Sequence, residues 1–273
     1  MTLEIREMTQ QDEYFVSTCT HENESEEIDA SSVRRCAWFH AHKEHGFSVK
    51  VALKDGERVG FAYSMPIEIS PWGPLGADLL VIPCLFVKNK YQKQGIGELL
   101  VLAVEDRAKS MKKAGVVTIG YLHDFWFMPA SFFLHLGYKE HQRRGSTALL
   151  AKLWDKVQLP KLLEPEYAFT PVEDKVVIDL YWNTFCATCD IEAVRVREVA
   201  EEFGDRVVLR EFSADDRKVL LTHQIAREIY INGQEIGWGY EAPKEGLRKA
   251  INSALADSAK TEISAASKGE QNG

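Results

Sequence analysis

"VIPCLFVKNKYQKQGIGELLVLAVEDRAKSMKKAG", residues 81–115, passes from an apolar strand through a polar turn into a helix. The apolar run begins two residues earlier, "LLVIPCLFV", and suits a strand buried on both faces. Pro83 interrupts it. Proline has no N–H for a sheet ladder, so the run is expected to bulge, bend and free backbone groups. Past the turn, Leu99, Leu100, Leu102, Ala103 and Ala108 form an apolar helical pattern, with Gly115 read as its C-terminal cap. Gly95 and Gly97 fall at the helix entrance. There the unsatisfied N–H groups and the helix dipole favour negative charge, and the missing side chains let phosphates approach the backbone. Taken alone, the Gly-x-Gly pair is more simply a tight turn.

Working outward, "FSVKVALKDGERVGFAYSMPIEI" (47–69) reads as two strands joined at Asp55-Gly56, a strong hairpin signal. Before it, "DASSVRRCAWFHAH" (29–42) reads as a helix with Asp29 or Ser31 near its cap. After the central helix come a strand, "VVTIGY" (116–121), an aromatic-rich helix end, "FFLHLGY" (132–138), and a hairpin, "YKEHQRRGSTALLAKLW" (138–154), turning at Gly145.

This order resembles the GNAT superfamily of acyl-CoA-dependent N-acetyltransferases. The family's pyrophosphate signature is matched by Gln92-Lys93-Gln94-Gly95-Ile96-Gly97, and its aromatic "FYxxLGF" motif by Phe132 to Tyr138. The resemblance implies that acetyl-CoA is the co-substrate. Its pantetheine arm would pair with backbone at Leu85, Phe86 and Val87, and its pyrophosphate would lie on residues 92–97. It also implies direct attack by a neutral amine on the thioester, with catalysis from positioning and polarisation. Many members carry a tyrosine as general acid at the second position of the aromatic pair. Here Phe133 stands there and excludes it. "GYLHDFWFMP" offers Tyr121, His123 and Asp124 nearby; His123 reads as a base or as a surface-loop histidine. Cys84 reads as a buried core residue rather than a nucleophile. Cys19, His21, Cys36 and His40 are weighed as a metal site and set aside, since nothing brings the two segments together. Glu22, Glu24, Glu26 and His21 suit either recognition of a cationic amine or a solvated loop.

With 273 residues, 45% of them apolar, the chain is long enough for two cores. The segment "DKVQLPKLLEPEYAFTPVEDK" has three prolines and no sustained period, which places a linker at 157–174 between a domain at 1–156 and a second at 175–256. Residues 257–273 read as a flexible tail. A net charge of −8 argues against nucleic acid as a partner. No signal peptide or membrane span is read, so a soluble, cytoplasmic protein is expected, with its oligomeric state open.

In the second domain, "KVVIDLYW" reads as a strand and "CATCDIEAVRVREVAEEFG" as a helix, with Ile191, Val194, Val199 and Phe203 on or near one face. A second strand, a short helix, a hairpin at Asn232-Gly233 and a closing amphipathic helix follow. This βαβ-α-ββα order, with Cys186 and Cys189 at the first helix start, resembles the thioredoxin fold. A helix N-terminus lowers a thiol pKa, so Cys186 is expected to be the attacking thiol and Cys189 the resolving one. Arg227 occupies the position where thioredoxin-like oxidoreductases carry a cis-proline, and Asp190 adds a negative charge that works against a depressed pKa. The domain pairing resembles the YoaP-like group of acetyltransferases.

The expected architecture is α/β: a GNAT-type mixed sheet with flanking helices, then a thioredoxin-like domain. The expected function is N-acetyl transfer from acetyl-CoA to a small-molecule or peptide amine, the second domain being accessory or redox-sensing. Tyr121, His123, Cys186 and Cys189 are the candidate reactive groups. The alternatives are a thiol-disulfide oxidoreductase with a degenerate CoA-binding module, or a non-catalytic binding protein.

Overall fold

The computed structural model describes residues 2–123, 128–237 and 241–269, with side chains as far as residue 257 in the last helix. It divides into two compact units, Met1–Glu164 and Pro165–Gly273.

The first unit is a mixed sheet with helices on it. Its elements are β1 (Leu3–Glu7), α1 (Glu13–Ser17), α2 (Glu26–Lys43), β2 (Ser48–Lys54), β3 (Glu57–Pro66), β4 (Leu80–Ile82), β5 (Leu85–Val87), α3 (Ile96–Ser110), β6 (Gly115–Tyr121), α4 (Ala130–His135), β7 (Lys139–Arg144) and β8 (Thr147–Leu153). The strand order is β1-β2-β3-β4-β6-β8-β7, and β5, off this path, pairs with β3. Asp55 and Gly56, at φ 50° and 83°, make the β2–β3 turn, whose twist matches that of its strands. The apolar run at 79–87 breaks at Pro83: β4 runs parallel to β6, and β5 leaves β6 and stays on β3. The core lies where Ile96, Leu100, Val104 and Ala108 of α3, spaced four apart, meet Leu80, Ile82, Val116 and Leu150 of the sheet.

Two helix boundaries differ from expectation. The helix read at 29–42 begins earlier, with Ser25 as its cap, its hydroxyl accepting from the Ile28 N–H. The central helix ends at Ser110, and Gly115 opens β6 instead of capping it. A β-carbon on Gly115 would lie 2.6 Å from the Lys152 carbonyl oxygen, so close strand approach explains that glycine.

At the N-terminal edge, fully buried Asp12 accepts from Arg6 (2.6 and 3.1 Å), Arg58 (2.6 Å) and Thr9 (2.8 Å). Burial alone pushes its carboxyl up. The bonds from Arg6, Thr9 and Arg58 outweigh that and hold it well below the carboxylate range.

The second unit has β9 (Val176–Trp182), α5 (Ala187–Phe203), β10 (Val207–Ser213), α6 (Arg217–His223), β11 (Glu228–Ile231), β12 (Gln234–Glu235) and α7 (Lys244–Gly269). The sheet order is β10-β9-β11-β12, with β10 parallel and β11 antiparallel to β9. Alternation along β9 sends Val176, Ile178 and Leu180 into a core with Ala193, Val196, Val199, Leu247 and Ile251. On α5, Ala193 and Val196 are buried there while Val194 is only half-buried. α7 continues to Gly269, past the expected end at 256; no proline or glycine interrupts residues 247–268.

Several residues of the expected linker, 157–174, make bonds to neighbouring segments. Leu75 and Lys161 exchange backbone hydrogen bonds at 2.8 Å, and Arg144 donates to the Leu163 carbonyl at 2.7 Å. Farther along, in the second unit, Tyr167 stacks on Tyr230. Backbone polar groups need partners, and a proline-broken segment finds them in side chains and an isolated bridge. Among the described residues, no helix is long and apolar enough to cross a membrane.

Candidate functional site

The break at Pro83 builds the site. Tyr63 N–H donates to the Cys84 carbonyl at 3.0 Å and Lys88 N–H to the Val59 carbonyl at 2.8 Å. Antiparallel alternation then makes Phe86–Phe61 the hydrogen-bonded pair between them. Phe86 therefore spends its backbone groups on β3. The backbone groups of Leu85 and Val87 point to the edge that β5 opens by leaving β6. Of the three residues expected to pair with a pantetheine arm, these two have backbone groups on that side.

The following turn is a cradle of donors. Lys93 and Gly95 are left-handed, at φ 59° and 79°, and Gly95 caps α3 with no side-chain bond. Among the described residues, nothing accepts from the N–H groups of Lys93, Gln94, Gly95, Ile96 or Gly97. Successive free N–H groups at a helix start make an anion site, and the helix dipole adds to it. A β-carbon at Gly95 would meet nothing within 4 Å, so the cradle opens to solvent. Ile96 is buried and anchors the helix start, and Gly97 faces the ring of Phe132.

Gln92 plays a different part from its neighbours. Its amide donates to the Val87 carbonyl and the Asn89 side chain, each at 3.0 Å, and so ties the turn back to β5. Lys54 reaches across from β2 to Gln94 Oε1 at 2.6 Å. Lys90 pairs with Glu57 at 3.0 Å, and the Tyr91 hydroxyl, then Lys90, hold the Glu57 carboxyl below its usual value. The Lys93 ammonium is exposed and has no partner among the described residues.

Beyond the cradle, Tyr121 ends β6 and its ring stacks on His123, with centroids 5.7 Å apart. Both are half-buried. Asp124 lies outside the described residues. Phe133 is fully buried, edge-on to Phe132 and Tyr138. Cys84, expected in the core, is half-buried, because Pro83 has turned β5 out of the sheet centre.

The four residues weighed as a metal site take separate partners. His21 meets Glu24 (2.8 Å), His40 meets Glu13 (2.7 Å), Cys19 lies 3.3 Å from Arg35, and burial pushes the Cys36 thiol up. No group of three or more His, Cys, Asp or Glu able to hold a metal occurs among the described residues. Sequence reasoning missed Arg35, which is buried and donates to the Ser17 carbonyl, Cys19 Sγ and the Tyr63 hydroxyl. These groups come from three elements, so no local pattern announces them.

Residues 44–140 match the family model described as acetyltransferase (GNAT) domain. No curated protein matches the chain. Similar solved structures include the PaiA N-acetyltransferase of Thermoplasma acidophilum in complex with coenzyme A, at 17% identity over 56% of this chain and 100% of that one, TM-score 0.42. Ribosomal-protein-alanine N-acetyltransferase of Brucella melitensis is 18% identical over 55% of this chain and 99% of that one, TM-score 0.42. YncA of Salmonella typhimurium, solved with acetyl-CoA, is 18% identical over 59% and 99%, TM-score 0.44. The cradle at residues 93–97 lies inside the matched GNAT segment.

In the second unit, Cys186 caps α5. It is half-buried, and its N–H donates to Asn183 Oδ1 at 3.0 Å. Buried Asn183 also donates to the Ala226 carbonyl at 3.0 Å and so joins the cysteine loop to the segment before β11. Cys189 is buried in the first turn. Burial, then the neighbouring Cys186, push its thiol well up, with Arg227 opposing. Arg227 is held by Glu192 at 2.8 and 3.3 Å, and the Glu192 charge, one turn on from Cys189, adds to the upward push on that thiol.

Proposed function

We propose that this chain is an N-acetyltransferase that takes acetyl-CoA as co-substrate and passes its acetyl group to a primary amine by direct attack. The supporting observation is the run of N–H groups from Lys93 to Gly97 with no acceptor among the described residues, at a helix start one turn past a strand that leaves its neighbour. These groups fit a diphosphate, and the outward backbone of Leu85 and Val87 fits the amides of a pantetheine arm. Gln92 keeps the turn closed on β5. Bound there, acetyl-CoA supplies an activated acetyl thioester.

The chain's own residues then position the amine and take its proton. Tyr121 and His123 are the groups assigned to that proton, and imidazole titrates near neutrality. Phe133 has no proton to give. Glu22, Glu24 and Glu26, ahead of and in the first turn of α2, favour a cationic acceptor.

The second unit is read as thioredoxin-like, on its β-α-β-α-β-β-α order and the cysteine pair at its first helix. Its role is accessory or redox-sensing, with Cys186 the attacking thiol and Cys189 the resolving one. The half-exposed Cys186 at a helix cap also favours a second reading, a thiol-disulfide oxidoreductase whose first unit only binds CoA.

Calorimetry with acetyl-CoA and turnover over a panel of amines separate the two. Binding with transfer supports the first reading; absence of binding at millimolar acetyl-CoA sinks it. Equal transfer rates with and without dithiothreitol would remove redox coupling between the units.

A further inference from the structure

The sheet of the second unit has an apolar face against α5 and α7 and a polar, aromatic face on its other side. On that second face Asp179 of β9 and Arg210 of β10 are register partners. Arg210 Nε donates to Oδ1 at 2.6 Å and Nη2 to Oδ2 at 3.0 Å. The Tyr167 hydroxyl donates to Oδ2 at 2.9 Å while its ring stacks on Tyr230, with centroids 3.7 Å apart. Asp179 is only 2% exposed, and burying a charge is costly where an apolar residue would pack as well. These groups floor a cavity of about 450 Å³, within the range of small-ligand sites. The Glu166 N–H, bonded to the His223 carbonyl at 2.8 Å, joins its two walls.

The polar side-chain atoms left unfilled toward this space are mostly donors. Asp179 and the Thr170 carbonyl occupy Arg210 Nε and Nη2, and Nη1 has no acceptor among the described residues. The Tyr181 hydroxyl lies 3.3 Å from His223 Nδ1, and in the tautomer that accepts from it Nε2 carries a hydrogen. Thr222 adds a hydroxyl. Tyr181 and Phe212, stacked at 4.7 Å, supply flat apolar surface. Glu166, the other charged group lining the space, is exposed, where water screens it.

We propose that this cavity binds a small carboxylate carried on a flat ring. The carboxylate takes Arg210 Nη1, His223 and Thr222, and the ring lies against Tyr181 and Phe212. A guanidinium already fixed by Asp179 is pre-organised for such an anion. The inference does not depend on the acetyltransferase reading.

Benzoate, benzamide and benzamidine share one shape and differ in charge, so calorimetry of the full chain with each tests it. Benzoate is expected to bind saturably and about tenfold or more tighter than benzamide, with no benzamidine binding. Arg210→Gln, with its fold checked by circular dichroism, is expected to abolish the benzoate preference, and Arg210→Lys to keep part of it. Equal binding of the three, tighter benzamidine, no benzoate binding at about 10 mM, or benzoate binding untouched by Arg210→Gln overturns the proposal. Should Arg210→Gln fail to fold, His223→Ala with Thr222→Val decides: a several-fold loss for benzoate alone supports it, and no loss overturns it.

Discussion

Both units start a helix at the turn that follows a strand, and the two starts differ in what stands at the cap. α3 is capped by Gly95, with a left-handed backbone, no side-chain bond and a run of free N–H groups. α5 is capped by Cys186, whose own N–H is already taken by Asn183. The field at a helix N-terminus is the same in both places. Where glycine stands, the field meets no side chain; where cysteine stands, a thiol of the chain stands in it. Two acids also contrast: fully buried Asp12 is over-supplied with donors, whereas half-buried Glu228 of β11 is pushed up to about 7, chiefly by burial.

The largest expected effect breaks the second contrast. Asp12→Asn removes a buried charge facing two arginines and should cost about 3 kcal/mol in denaturant unfolding. Because the folded carboxyl is held below its unfolded value, the wild-type contribution is full above about pH 4–5 and fades as pH falls below that. A variant as stable as wild type at pH 7 would show the network to be neutral.

Next, Gly95→Val puts a β-branched residue at φ 79° and should lower acetyl-CoA affinity about a hundredfold by calorimetry, while the strain costs about 1–3 kcal/mol of stability and lowers the thermal midpoint. Unchanged affinity would remove the cradle from the binding site. For the other cap, iodoacetamide labelling followed by mass spectrometry should modify Cys186 at least about tenfold faster than Cys189, whose thiol is buried and raised. Equal rates would make the two cysteines one environment.

Smaller again, Glu228→Gln should stabilise the second unit by about 1–2 kcal/mol at pH 8 and by nothing near pH 4. Its raised folded pKa means that stability falls as pH rises from the unfolded value to about 7, opposite in direction to Asp12. Smallest of all, Gln92→Ala loosens the turn without removing a cradle N–H and should weaken acetyl-CoA binding only a few-fold.

Much of this contrast is legible in the chain. Proline in an apolar run, Asp-Gly and Asn-Gly between strands, and glycine or cysteine at a helix start act through local backbone geometry, which needs no distant partner to be read. The boundaries that differed, Ser25 for the α2 cap and Gly115 inside β6, depended on neighbours: one on which hydroxyl faced Ile28, the other on how closely β8 approached. Asp179 was readable and passed over. A single aspartate inside "VVIDLYW", with an arginine at the matching place in "VVLREF", is a signal that parallel register turns into a pair.

The order of elements, the break at Pro83, the glycine at one helix start and the cysteine pair at another can each be read from a few consecutive residues, because each is local backbone chemistry. Other features come from the assembled fold: β5 stays on β3, Leu85 and Val87 rather than Phe86 face the gap, Arg35 is buried beside Cys19 and Tyr63, and Glu192 holds Arg227 near the cysteines. Those outcomes turn on hydrogen-bond register and burial between segments far apart in the chain, and pairwise geometry of that kind exists only once the sheets have formed.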